Sequence, residues 1–168
     1  MNVTTTATFT WPADPPQRFD RYADYAASFS ALLAVAQHSL WLYEDDFKAA
    51  DLGGRANCEQ LQRFLVGGGQ LTVLARRPDY IAASAPRFLR LHDVFAHQMS
   101  LNLLREDAQT DEQVFSLADD RHYVIRHHLD WPRGEAGSNG AAVAFLQQKS
   151  QYLQDLSEPA SAWRRLDI

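Results

Sequence analysis

The chain reads as an α/β domain: one mixed, mostly parallel sheet with helices on both faces. Three observations predict it. Apolar runs of strand length at residues 39–44, 70–75 and 99–104 alternate with segments of helical periodicity. Strands that alternate with helices imply parallel pairing, with both faces of the sheet covered. Two more strand-like runs between Gln113 and Arg126, joined by a polar turn, add an antiparallel pair.

The elements follow in order. Residues 1–18 are Thr-rich and then Pro-rich, which suits a tail or an arm laid on a domain spanning 19–168. Tyr22, Ala26, Phe29, Leu33 and Ala36 recur at helical spacing, and this helix ends near His38. Ser39 to Glu44 form a first strand, apolar enough to be buried on both sides. Asn57 and Gln60 make a capping-box pattern for the next helix, whose inner face is Leu61, Phe64 and Leu65. Gly67, Gly68 and Gly69 stop it. Gln70 to Ala75 form a second strand, and residues 76–85 a loop. Pro86 starts a third helix, with Phe88, Leu91 and Phe95 inward. Met99 to Leu104 form a third strand, followed by a charged loop and the hairpin. Residues 131–140 read as a long loop. The last helix carries Phe145, Tyr152, Leu153 and Leu156, with Lys149 interrupting the stripe. A tail from Pro159 packs Trp163 and Leu166 back on the domain.

Composition limits the function classes. A length of 168 residues suits one domain, and 46% apolar with 22% charged residues is a globular balance. The net charge of −5 argues against nucleic acid as a partner and against anionic lipid. The single Cys58 excludes an internal disulfide and a Cys-based zinc cage. The N-terminus has no basic segment leading into an apolar core, so it is not a secretory signal. The apolar run Ala31 to Ala36 is too short to cross a bilayer. The expected setting is cytoplasmic, with no membrane partner, no cofactor and no metal.

The hairpin from Phe115 to Arg126 and the ending from Leu156 to Leu166 carry a resemblance, supported by Trp41–Glu44 and Leu71–Arg76. Over residues 20–168 the chain resembles one lobe of the phospholipase D superfamily. More narrowly, it is similar to an uncharacterised bacterial family of single-lobe phospholipase-D-like domains. In active relatives this hairpin holds the motif H-x-K-x4-D. The resemblance implies that His attacks phosphorus, Lys binds phosphate and Asp supports the His. Aligning the motif's Asp with Asp120 puts Gln113 at the His position and Phe115 at the Lys position. Aligning it with Asp119 puts Glu112 and Val114 there. Neither register supplies a nucleophile or a phosphate-binding cation. Gly137-Ser138-Asn139 is similar to the family's G-S-x-N element but lies too far beyond the Asp, and reads as loop chemistry.

The candidate vestigial-site positions are therefore Gln113, Phe115, Asp120, Glu44 and Asp45. Glu44 and Asp45 enter because they end the first strand, where open α/β sheets place ligands. Candidate anion-binding residues are Arg126, His122 and His127. Plainer readings stand beside these. Asp119 and Asp120 suit a tight turn. Adjacent His127 and His128 point to opposite faces of a strand and chelate poorly together. Arg87, Arg90 and His92 could hold an anion near a helix start, or be solvated surface charges. Cys58 has no sequence-adjacent base.

The expectation is a non-catalytic interaction or regulatory domain on a degenerate phospholipase-D-like scaffold. The alternative is a phosphodiesterase-like enzyme or an anion binder with a rearranged site. A protein partner and a homodimer stay open. The resemblance implies a two-fold assembly, and the aromatic segment Phe9 to Tyr25 is its candidate contact.

Overall fold

Three strands rich in Leu and Val form the parallel part of the sheet. They are β2 (Ser39–Glu44), β3 (Gln70–Ala75) and β4 (Met99–Leu104). Leu40 lies beside Leu71, and Leu71 beside Met99. Each crossover is helical: α2 (Arg55–Val66) joins β2 to β3, and α3 (Asp79–Ser84) with α4 (Pro86–Phe95) joins β3 to β4. A computed structural model describes residues 9–160. Trp163 and Leu166 lie outside these residues.

The rest of the sheet is antiparallel. β5 (Val114–Ala118) pairs with β2, then β6 (His122–His128), β7 (Trp131–Gly137) and the edge strand β1 (Gln17–Phe19) follow outward. β8 (Ser157–Pro159) closes the far edge beside β4. Among the described residues two pairings are parallel and five are antiparallel. The mixed α/β sheet is as expected, but it is mostly antiparallel rather than mostly parallel. Short edge strands such as β1 and β8 are too brief to show a period of two.

Residues 131–137, expected as part of a long loop, form β7, although Pro132, Gly134 and Gly137 are types that strands disfavour. The structure gives Pro132 and Gly134 each a place. Arg126 pairs with Gly134 and His128 with Trp131, so Pro132 and Arg133 bulge opposite His127. A bulge tolerates a residue without an N–H. A Cβ on Gly134 would sit 1.8 Å from the Ile125 carbonyl oxygen, so only glycine lets β6 and β7 meet there.

Helices cover both faces. α1 (Tyr22–Val35), α2 and α4 pack Phe29, Leu33, Leu61, Phe64 and Phe88 on one side with Leu42 and Val73 of the sheet. α5 (Gly140–Asp155) covers the other with Val143, Leu146 and Leu153, against Phe115, Leu117, Tyr123 and Ile125. Phe145 and Tyr152, expected inward, are 61% and 56% exposed. The stripe is rotated because Val143 and Leu146, not the aromatics, meet the sheet.

Local chemistry sets the joints. Asp119 and Asp120 have φ of 57° and 52°, and the Arg121 N–H donates to the Ala118 carbonyl at 3.0 Å. Ala118 pairs with His122, so Asp119, Asp120 and Arg121 make the turn, and its first two residues take the left-handed conformation that Asp tolerates. α2 begins earlier than expected, with Gly54 as its N-cap. Asn57 is instead buried, donating to the Ala50 and Asp51 carbonyls and accepting from the Ser30 hydroxyl. Residues expected as an arm lie on the domain: Trp11 donates to the Ala31 carbonyl, and Ala13 exchanges hydrogen bonds with Ser138. Among the described residues no helix is long and apolar enough to cross a membrane.

Candidate functional site

β2 alternates Leu40, Leu42 and Glu44 toward α1, which carries the Glu44 carboxylate into the interior at 1% exposure. Its partners come from two other elements. Tyr25 on α1 donates its hydroxyl to Glu44 Oε2. Arg126 on β6, only 2% exposed, reaches across β5 and donates from Nη2 to Glu44 Oε1. Its Nη1 donates to the His128 and Leu129 carbonyls at 2.7 and 2.6 Å, and its guanidinium lies 5.2 Å from the centre of the Tyr25 ring. Glu44 Oε1 also accepts from the Asp45 N–H at 2.7 Å.

Burial pushes the Tyr25 hydroxyl well above its ordinary pKa, and the Glu44 carboxylate adds to this. Burial works against the Arg126 charge, but Glu44 outweighs it and holds the guanidinium protonated. The set is a closed ion pair inside the protein. Removing either partner would strand a charge in a dry interior.

The other face of the hairpin is closed as well. Phe115 packs 5.1 Å from the Trp41 ring and 6.0 Å from the Tyr43 ring. Lys149 on α5 donates to the Asp111 carboxylate at 2.8 Å and to Gln113 Oε1 at 2.7 Å, with its ammonium 5.9 Å from the Phe115 ring. Arg76 Nη1 donates to the Tyr43 hydroxyl, Thr110 Oγ1 and the Asp111 carbonyl. Lys149, an apparent break in a stripe, is thus a cation placed at the Gln113 and Phe115 positions. Its only sequence signal was a charge on an otherwise apolar face.

The candidate vestigial positions do not assemble. Glu44 is under α1, while Gln113 and Phe115 are under α5. Asp45 lies toward solvent in a two-point pair with Arg77, at 3.1 and 2.6 Å. Asp120 is exposed in the turn at the opposite end of β2, about 17 Å away by strand rise. Its neighbour Asp119 is the engaged carboxylate, accepting from the backbone N–H groups of Gln37, His38 and Ser39 at 3.0, 2.7 and 3.0 Å.

The three candidate anion-binding residues also separate. Glu44 neutralises Arg126. His122 is buried, 2.7 Å from Ser138 Oγ through Nδ1 and 4.7 Å from the Trp11 ring, and burial lowers its pKa. His127 alone opens to a cleft, of about 520 Å³, lined with Arg18, Asp20, Arg133 and Glu135. Arg133 is shared with a second cleft of about 460 Å³ beside His128 and Trp131. Arg18 and Arg133 were missed because they fell in segments read as arm and loop. Asn139 of the Gly137-Ser138-Asn139 stretch caps α5, accepting from the Ala141 and Ala142 N–H groups. Among the described residues no three His, Cys, Asp or Glu side chains converge to hold a metal ion.

This mixed sheet, with its parallel core, antiparallel hairpin and helices on both faces, is a phospholipase-D-like lobe. Solved structures share it. The chain is similar to NucT from Helicobacter pylori at 10% identity and TM-score 0.60, covering 86% of this chain and 98% of that one. It is similar to Nuc from Salmonella typhimurium, a phospholipase D family member, at 7% identity and TM-score 0.56, covering 86% and 97%. It is also similar to TrmBL2, an archaeal chromatin protein, at 13% identity and TM-score 0.65, covering 86% of this chain and 54% of that one. The chain thus spans about half of TrmBL2. The chain belongs to the family of the domain of unknown function DUF7931, whose model matches residues 21–166. No curated protein matches the sequence.

One expectation is overturned. The net charge of −5 argues against nucleic acid as a partner, yet TrmBL2, of this fold, shows a novel mode of DNA binding. Net charge sums the whole chain, whereas phosphate contacts depend on where Arg side chains gather.

Proposed function

We propose that this chain is a non-catalytic interaction domain on a phospholipase-D-like scaffold that lacks the H-x-K-x4-D chemistry. One observation carries the reading. At the hairpin, Phe115 is packed in an aromatic stack and Gln113 is held by Lys149, so neither is a reactive group facing a cavity. An amide and a phenyl ring form no phosphohistidine. The reading takes the protein to work as a homodimer, with the exposed Phe145 and Tyr152 of α5 as its contact, one above the other on one helix face. Purified protein should hydrolyse bis(p-nitrophenyl) phosphate no faster than buffer. Activity that survives purification and disappears in Gln113→Ala or His122→Ala overturns the proposal.

A second reading, anion binding at a rearranged site, is favoured by the paired clefts. Arg18 and Arg133 make no ion pair among the described residues, and Trp131 beside Arg133 is 65% exposed. A cation next to an exposed ring suits a phosphate with a stacked base. Binding of a short single-stranded DNA should weaken in Arg133→Ala and with added salt. Equal binding by both proteins sinks this reading.

A further inference from the structure

We propose that the groove between α2 and α4 docks an acidic amphipathic helix of a partner protein. This rests on the interaction-domain reading and names the class of partner. The groove holds about 370 Å³. Its floor is apolar: Cys58 and Leu91 are buried, Phe95 is half-buried, and Val94 stands 68% exposed beside them. Burial pushes the Cys58 thiol up to about 11, so at neutral pH it is a neutral floor atom.

The rim is basic. Arg55 stands on α2 and Arg87 and Arg90 on α4. Arg55 meets Glu59 at 3.3 Å, an exposed i,i+4 pair of little consequence. Arg87 and Arg90 make no ion pair among the described residues. Three cations against one carboxylate reverse the sign of a chain whose net charge is −5.

The places of two of these arginines at helix starts point the same way. α2 and α4 each have Arg in the first turn and no acid there. Helix N-termini favour negative charge, so both arginines sit where the helix dipole disfavours them. Carboxylates from outside would relieve both. A bare phosphate would answer the charge but leave the floor uncovered. An amphipathic helix answers both, with apolar side chains on Leu91, Val94 and Phe95 and acids toward the arginines. From Arg87 to Phe95 the wall runs about 12 Å, so the occupant presents about two turns.

The test is a displayed library of helical peptides of about 14 residues, apolar at i, i+3, i+4 and i+7 and acidic on the flanks, beside a matched library with Lys for Glu. Acidic peptides should be selected and basic ones not. Arg87→Glu with Arg90→Glu should weaken the selected peptides at least about tenfold, and should bind their Lys counterparts instead. Val94→Asp should also weaken them. All three positions are exposed, so an unchanged melting temperature certifies the fold. The proposal is overturned if no acidic peptide is selected or if binding ignores these substitutions. It is also overturned if Val94→Asp instead abolishes self-association, or if Arg87 and Arg90 are needed for single-stranded DNA and not for peptide. Phosphodiester hydrolysis by the same protein would defeat the interaction-domain reading separately, without bearing on the peptide result.

Discussion

Asp119 combines two demands in one side chain. Its φ of 57° allows the hairpin turn, and its carboxylate gathers three backbone N–H groups at the start of β2. Burial alone would raise its pKa, but the His38, Ser39 and Gln37 N–H groups outweigh that and hold it below the ordinary value. A lowered folded value means that ionised Asp119 stabilises the fold. That stabilisation is whole above about pH 4, and it is lost as pH falls through the folded value. Asp119→Ala should cost about 1.5–3 kcal/mol at neutral pH, with the difference from the parent shrinking toward about pH 3. Urea unfolding at both pH values measures it. A difference independent of pH would remove the carboxylate from the explanation. His122 and Arg126 show the same principle. Their chemistry was visible in the chain, but what each side chain touches was not.

At the scale of elements, the hairpin register follows from alternation. Phe115 and Leu117 face α5, with Ser116 between them buried on the other side. Phe115→Ala should lower stability by about 3–5 kcal/mol, because the ring is fully enclosed by Trp41, Tyr43 and α5. Thermal or chemical unfolding reads this, and an unchanged midpoint would mean that the stack contributes nothing. β2, β3 and β4 were legible to the residue because six-residue apolar runs between helices admit one reading. β7 was not. Its Pro132 and Gly134 make sense only against the carbonyls and the bulge of a neighbouring strand.

For the whole molecule, assembly turns on which apolar side chains stay exposed. Most of the aromatic segment expected as a contact packs on its own domain, with Tyr22 left 46% exposed. Phe19 and Tyr25 are buried, and the Trp11 ring lies between Phe9 and His122. Two exposed aromatics, Phe145 and Tyr152, share one face of α5. Light scattering should give twice the chain mass, and Phe145→Glu should return it to one chain. A single-chain mass at every concentration removes the dimer. A dimer lost in Trp11→Ala but kept in Phe145→Glu returns the contact to the N-terminal segment.

By itself the sequence determined the α/β class, the three parallel strands, the hairpin and the presence in it of Gln113 and Phe115. Each of these depends on local periodicity or on the identity of one residue. Only the tertiary structure decided that most pairings are antiparallel, that Glu44 and Arg126 neutralise each other, and that Lys149 reaches Gln113. It also decided that Arg55, Arg87 and Arg90 share one groove. The physical reason is separation along the chain. Glu44 and Arg126 are 82 residues apart, and Lys149 is 36 from Gln113. Their energies arise from desolvation and contact in the folded state, which no local window of sequence contains.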